Sequence, residues 1–309
     1  MKIVTSGWPY IDIDAYAGIV AYAELLQQQG TESAAISTAP WNESISNTVR
    51  SWNAPLGNEY LPSLTDTFVV IDLSDPNYFD TFVELERVDE VIDHHPGFEQ
   101  YWKEKIGSRS HIEPLGSACT QVYELWQASG LMGDMSQLSA RLLICGILDN
   151  TLNFGAKITT ERDRIAYAEL LKKADLPADW TAQYFSECQH TSIEYVDRTL
   201  RNDTKCLNFK TFPEPVYVGQ LIVWDAAEAL GGYEHHFRDI LSDMGPLWYM
   251  NLISIGNGRS YFLADNIEVK QWLSELLKVN FIGSIAIADR MWLRKEMMKQ
   301  DIEKQMSNF

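Results

Sequence analysis

The run Thr67-Phe-Val-Val-Ile-Asp72 leaves this chain little choice of architecture. It shows no polar alternation, as a strand buried on both faces requires, and it stops at a carboxylate. Val91-Ile92-Asp93-His94-His95-Pro96-Gly97 repeats the arrangement. A β-branched pair leads into Asp-His-His, and Pro-Gly then turns the chain away. Lys2-Ile-Val-Thr-Ser6 reads as a first strand, followed by a loop that carries Asp12 and Asp14. Strands covered on both faces belong to parallel sheets flanked by helices, and such sheets bind ligands at the carboxyl ends of their strands. The expected class is therefore α/β, with an N-terminal doubly wound, mainly parallel sheet and a smaller mixed α/β domain after it.

The remaining pattern fills in that frame. From Ala15 to Gly30 the period is helical, with Asp14 expected as its N-cap. A strand is expected over 33–37, a loop over 41–62, and helices over 116–126, 137–148 and 160–174. Thr160 and Asp163 have capping-box spacing, with Ile165, Leu170 and Leu171 as apolar positions. The helix over 137–148 is strongly apolar and runs straight into Asp149, a carboxylate that calls for a cationic partner. Farther on, 206–212 and 216–224 read as paired strands, a helix is expected near His236, and strands over 247–255 and 260–264 precede a helix over 267–279.

A chain of 309 residues suits two domains, here 1–190 and 191–309. Its 46% hydrophobic content excludes disorder. No apolar run approaches the roughly 20 residues of a membrane helix, and Met1-Lys2-Ile3-Val4 enters a strand without a signal-peptide pattern. A cytoplasmic protein without a membrane partner is expected. Cys119, Cys145, Cys188 and Cys206 lie far apart in apolar surroundings, which suits buried thiols rather than disulfides. A formal net charge of −18 repels long nucleic acid but permits a small phosphorylated substrate held by a metal.

Asp12, Asp14, Asp72, His94 and Asp149 together supply four carboxylates and one imidazole. Such an oxygen-rich set suits manganese or magnesium better than zinc. A carboxylate shared by two ions about 4 Å apart is a common way of activating water against phosphorus. Adjacent histidines in a strand point to opposite faces, so one of the pair His94 and His95 is expected to ligate metal while the other stays free for substrate.

Asp12-Ile-Asp14, Asp72, Asp93-His94-His95 and Asp149 stand in the order and approximate spacing of the four motifs of the DHH phosphoesterases. The chain resembles that family over nearly its whole length, and most of all its manganese-dependent, family II inorganic pyrophosphatases and the related exopolyphosphatases. Glu113-Pro-Leu-Gly-Ser-Ala-Cys-Thr120 is similar to the segment before their fourth motif, and Lys205 and Arg294-Lys295 to the basic residues of their C-terminal domain. The resemblance implies a metal-dependent phosphohydrolase of a small phosphoanhydride or phosphoester, pyrophosphate- or polyphosphate-like. Manganese would be the cofactor, with magnesium or cobalt as substitutes, as one ion or two. Asp72 would bridge the ions, Asp14, His94 and Asp149 would complete one site, and Asp12 would serve the other. His95 would contact substrate as general acid. Lys205, Arg294 and Lys295 would grip phosphate in an interdomain cleft, and pairing of two copies through the first domain would fit.

Two departures temper that expectation. The pyrophosphatases have a histidine ligand four residues before Asp12, where this chain has Trp8, whose indole nitrogen is a donor only. The basic motif is altered too, with Leu293 before it and Glu296 after it. Two further readings therefore stand beside the first. One is a phosphodiesterase on cyclic dinucleotides or short oligonucleotides, for which Gly231-Gly232-Tyr-Glu-His235-His236 is a poor match to the expected glycine-rich motif. The other is a degenerate, non-catalytic member that binds a phosphorylated ligand.

Overall fold

The computed structural model describes residues 1–294 and 296–299. It divides into two compact units, Met1–Tyr184 and Phe185–Phe309. The first unit contains β1 (Lys2–Thr5), α1 (Ile13–Gln28), β2 (Ser33–Ile36), α2 (Asn47–Ser51), β3 (Leu56–Gly57), β4 (Thr67–Ile71) and β5 (Val88–Asp93). There follow α3 (Glu99–Ile106), β6 (Ser110–Ile112), α4 (Ala118–Ser129), α5 (Gln137–Asn150) and α6 (Glu161–Ala174). The next helix, α7 (Trp180–Glu194), runs past the last residue of the first unit.

Every strand pair in the first sheet is parallel, in the order β3-β2-β1-β4-β5-β6. Both faces of β4 are covered, which explains its unbroken apolar run. Phe68 and Val70 join a core with Trp102 and Ile106 of α3. On the opposite face Ile71 meets α1, where a side chain at Gly18 would collide with it. The strand order reverses between β1 and β4, the position at which open α/β sheets generally take their ligands.

The second unit holds α8 (Val196–Asp203), β7 (Lys205–Leu207), β8 (Val216–Val223), α9 (Ala226–Met244), β9 (Trp248–Ser254), β10 (Arg259–Leu263), α10 (Ile267–Leu277), β11 (Phe281–Ile282) and β12 (Ile285–Ala288). Its sheet is mixed, in the order β11-β12-β10-β9-β8-β7. Among its described strands only β8 and β9 run parallel, joined across α9. Trp272 and Leu276 of α10 pack on one core with Tyr249 and Phe262, whereas Leu200 of α8 and Phe237 of α9 pack on the other with Met250 and Leu263. No helix of the described residues is long and apolar enough to cross a membrane.

Several expectations need correction. Asp12, not Asp14, caps α1, its Oδ1 accepting from Ala15 N at 3.0 Å. The stretch 41–62 contains α2, capped by Ser46, and the short strand β3. Helix α5 continues through Asp149 to Asn150, placing that carboxylate in its last turn. The α6 capping box is present, yet Ile165 and Leu171 are exposed, and Ala166, Leu170 and Ala174 make the buried stripe. Helix α9 starts at Ala226, ten residues before His236, because Asp225 accepts from Ala227 N and Glu228 N and overrides the glycines that follow. Cys119 and Cys145 are buried, but Cys206 is exposed on the edge strand β7.

Gly146 lets α5 approach α1 and α4 closely. A Cβ there would strike Cys119 Sγ and stand 3.0 Å from Asp14 Oδ1. We expect Gly146→Ala to cost about 1–3 kcal/mol of stability, the usual penalty for overpacking a filled core. Thermal melting should show a fall of roughly 3–10 °C, and an unchanged midpoint would mean that the helices part without cost.

Candidate metal centre

The carboxyl edge of the first sheet gathers the acids and imidazoles. Asp72 follows β4 directly, with φ of 62°, a left-handed conformation that only Asn and Asp tolerate readily among residues with a side chain. Its backbone N–H donates to Ile92 O at 2.8 Å, which ties the strained residue to β5. Strain of this kind persists where its surroundings over-determine it, and functional sites are where it collects.

His94 and His95 do not divide between two faces. Strand β5 ends at Asp93, so the strand alternation no longer governs them. Asp93 Oδ1 accepts from both backbone N–H groups, at 2.8 Å from His94 and 3.1 Å from His95, and the two rings lie with centroids 4.3 Å apart. Their partners still give them different roles. His94 Nδ1 donates to Leu115 O at 2.8 Å, which leaves Nε2 as the lone-pair atom. His95 Nδ1 donates to Asp93 Oδ1 at 2.8 Å, and its ring is largely exposed.

His94 Nε2 stands 3.2 Å from Asp72 Oδ1 and 3.8 Å from Asp14 Oδ2. Both His94 Nε2 and Asp72 Oδ1 are buried, and neither has a hydrogen-bond partner besides the other. Buried polar atoms with so few partners are costly and call for an explanation. Asp72, His94 and His95 can each bring one ligand atom within 4.8 Å of the others. Two converging lone pairs, an adjacent imidazole and nearby carboxylate oxygen suit a divalent cation, so the residues present fit the ion that the sequence implied.

Asp14 and Asp149 are held differently from what their spacing suggested. Asp14 Oδ1 accepts from Ser117 Oγ at 2.6 Å and Cys119 N at 2.9 Å. Its Oδ2 accepts from Ala118 N at 2.9 Å and from Asn150 Nδ2. Asp149 Oδ1 instead accepts from Tyr184 Oη at 3.0 Å, and that hydroxyl also donates to Ser44 O at 2.8 Å. Asp12 is occupied in capping α1.

The charges are strongly coupled. Burial, then Asp14 and Asp12, drive the Asp72 carboxyl well above its ordinary range. Burial and the neighbouring Asp12 push Asp149 up to about 7. Burial alone would lower His94, but Asp72 and Asp14 outweigh it and push the imidazole up to about 10. Burial would likewise raise Asp93, yet its bonds to His95 hold it below the usual carboxylate range, and the same pair raises His95.

Residues 2–147 match the family described as DHH family, N-terminal domain. This segment is a DHH domain. A probable manganese-dependent inorganic pyrophosphatase of Clostridium acetobutylicum is 24% identical over 245 residues, 78% of this chain and 76% of that protein. One of the same description from Shouchella clausii is 27% identical over 180 residues, and that match spans 58% of this chain and only 57% of that protein. In fold, the chain is similar to a Methanococcus jannaschii protein described as a family II inorganic pyrophosphatase, with a TM-score of 0.62 at 17% identity over 98% of this chain and 99% of that one. It is also similar to an exopolyphosphatase-related protein of Bacteroides fragilis, with a TM-score of 0.52 at 14% identity over 99% and 92%.

Within the DHH domain, Asp72, His94 and His95 come together with Asp14 beside them, whereas Asp149 turns toward Tyr184. Sequence reasoning singled out the segment holding Leu115 and Ser117 without giving either its role toward His94 and Asp14, and it missed Asn150 and Tyr184. For Ser117 the signal was its place before an apolar helix, which marks an N-cap. Trp8 is about half exposed, with its indole nitrogen 3.4 Å from Asn77 O. The basic residues of the second unit are placed unequally. Lys205 is exposed on β7, while Arg294 Nη1 and Nη2 donate to Asp203 and Nη1 also to Val218 O, so those donors are already committed. Lys295 lies outside the described residues.

These shifts fix the sign of a pH effect. Asp149 binds its proton more tightly folded than unfolded, so its contribution to stability is full below 3.8 and is lost as pH climbs through about 7. His94 contributes in the same sense below 6.5, and loses the contribution through about 10. A cation must displace those protons. Manganese should therefore raise the melting temperature more at pH 8.5 than at pH 5.5, and equal increments at both would contradict this assignment.

Proposed function

We propose that this chain is a metal-dependent phosphohydrolase acting on a small phosphoanhydride or phosphoester of pyrophosphate or polyphosphate type, with manganese as its preferred ion. The observation that carries this reading is the pair Asp72 Oδ1 and His94 Nε2, buried and 3.2 Å apart at the carboxyl edge of a DHH domain. Asp72 and His94 would hold the ion, with Asp14, Asp12 and Asp149 supplying further carboxylates around it. A divalent ion there supplies Lewis acidity and lowers the pKa of water.

The remaining chemistry falls to His95. Asp93 fixes its Nδ1 proton and raises the basicity of the ring, so that Nε2 is the position from which a proton would pass to the departing phosphate oxygen. Replacing the ring by an amide removes that proton but keeps a polar side chain. Phosphate release should be measured from pyrophosphate, short polyphosphate, mononucleotides and cyclic dinucleotides, with manganese, magnesium or cobalt. We expect turnover of at least one, reduced about 10²–10⁴-fold in His95→Gln and abolished in Asp72→Asn, whose side chain tolerates the same backbone conformation. No turnover of any substrate, with manganese still bound, would favour a binding protein instead.

One observation favours a second reading, the phosphodiesterase on cyclic dinucleotides or short oligonucleotides. Trp8, Tyr10 and Tyr78 are about half exposed on the loops that follow β1 and β4, and Trp8 N donates to Tyr78 O at 3.0 Å. Pyrophosphate has no ring to stack on them, and a base does. On that reading Trp8→Ala raises KM about tenfold for a ring-bearing substrate and leaves pyrophosphate kinetics as they were. Equal effects on both would exclude stacking.

A further inference from the structure

Asp14 has no free lone pair. A carboxylate offers about four acceptor positions, and Ser117 Oγ, Cys119 N, Ala118 N and Asn150 Nδ2 take all of them. Three of these donors are immovable. Ala118 N and Cys119 N belong to the first turn of α4, and Ser117 is its N-cap, held by a further bond from Cys119 N at 3.1 Å. The fourth is a side-chain amide on the last residue of α5. That amide sits on Oδ2, the oxygen that faces His94 Nε2 at 3.8 Å. Only the amide's N–H end can face a carboxylate, because its carbonyl would be repelled.

We propose that Asn150 is the residue that sets metal affinity in this centre, by occupying the position on Asp14 Oδ2 that an ion has to take. The inference rests on the metal-centre reading given above. Binding exchanges one amide hydrogen bond for one metal–oxygen bond, so affinity is reduced by what that hydrogen bond contributes. Asn150 also brings a neutral group where a carboxylate would add negative charge, and Asp149, the neighbouring acid, points to Tyr184. The centre is thereby tuned to hold its ion weakly. Charge count is a main determinant of affinity in oxygen-ligand sites.

Calorimetric titration of the full chain with manganese chloride tests this, using wild type, Asn150→Ala, Asn150→Asp and Asp72→Asn. Asn150→Ala should bind manganese about tenfold more tightly, the fold-change expected from removing a competing hydrogen bond to a charged group. Asn150→Asp should bind more tightly again. The metal-free melting temperature should fall in both, and manganese should raise it further than in wild type. Equal or weaker binding by Asn150→Ala would overturn the proposal, since the amide would then be a bystander or itself a ligand. Asp72→Asn separates the two levels of the argument. If it loses binding while Asn150→Ala fails to tighten it, only the role of Asn150 falls. If Asp72→Asn binds as wild type does, or if no form binds manganese, the metal centre falls, and the role of Asn150 with it.

Discussion

Asp14 is the point on which the first unit turns. Its side chain is 1% exposed, yet it sits where the first turn of α1, the N-terminus of α4 and the last residue of α5 converge. Burying a carboxylate is tolerable here because α4 offers it two backbone N–H groups and an N-cap hydroxyl at the positive end of a helix. One interaction therefore does two things. It ties three helices to one another, and it aims a carboxylate oxygen at His94.

Around that anchor the fold concentrates groups that oppose its stability. Asp72 is held in a left-handed conformation, and several buried acids repel one another. A fold selected for stability alone has no use for such a cluster, since apolar side chains of similar volume generally pack at least as well. Perturbed carboxyls and imidazoles assembled at a sheet's switch point are what a binding or catalytic centre requires. A cation bound there would neutralise the acids that burial and mutual repulsion disfavour. Stability and function are thus linked through the same atoms.

Much of this was legible in the sequence, and the reasons differ by element. The strand ending at Ile71 announced itself because a continuous apolar run has few other uses, and the terminal Asp72 then had to lie at the sheet's edge. The capping box at Thr160 and Asp163 followed from spacing alone, because its partners are three residues apart. Asp163 also binds Gly116 N and Thr120 Oγ1, which local spacing could not disclose. The assignment of Asp14 as a cap failed because two acids compete for one local role, and only the approach of α4 decides between them. The facing of the histidine pair was misjudged because strand alternation stops where pairing stops, at Asp93, just before the two rings.

The sequence by itself determined the class of fold and the strand ends that carry acid and imidazole. These depend on periodicity and residue type, which are local properties of the chain. Tertiary structure alone decided which lone pairs remain free. Ser117 reaches Asp14 across 103 residues and Asn150 reaches it across 136. Leu115 selects the tautomer of His94 through a carbonyl, a group that every residue carries and no sequence pattern marks. Whether a carboxylate caps a helix, binds an amide or receives a metal depends on which distant donors packing brings within 3 Å or so, and that is a property of the folded arrangement rather than of any segment.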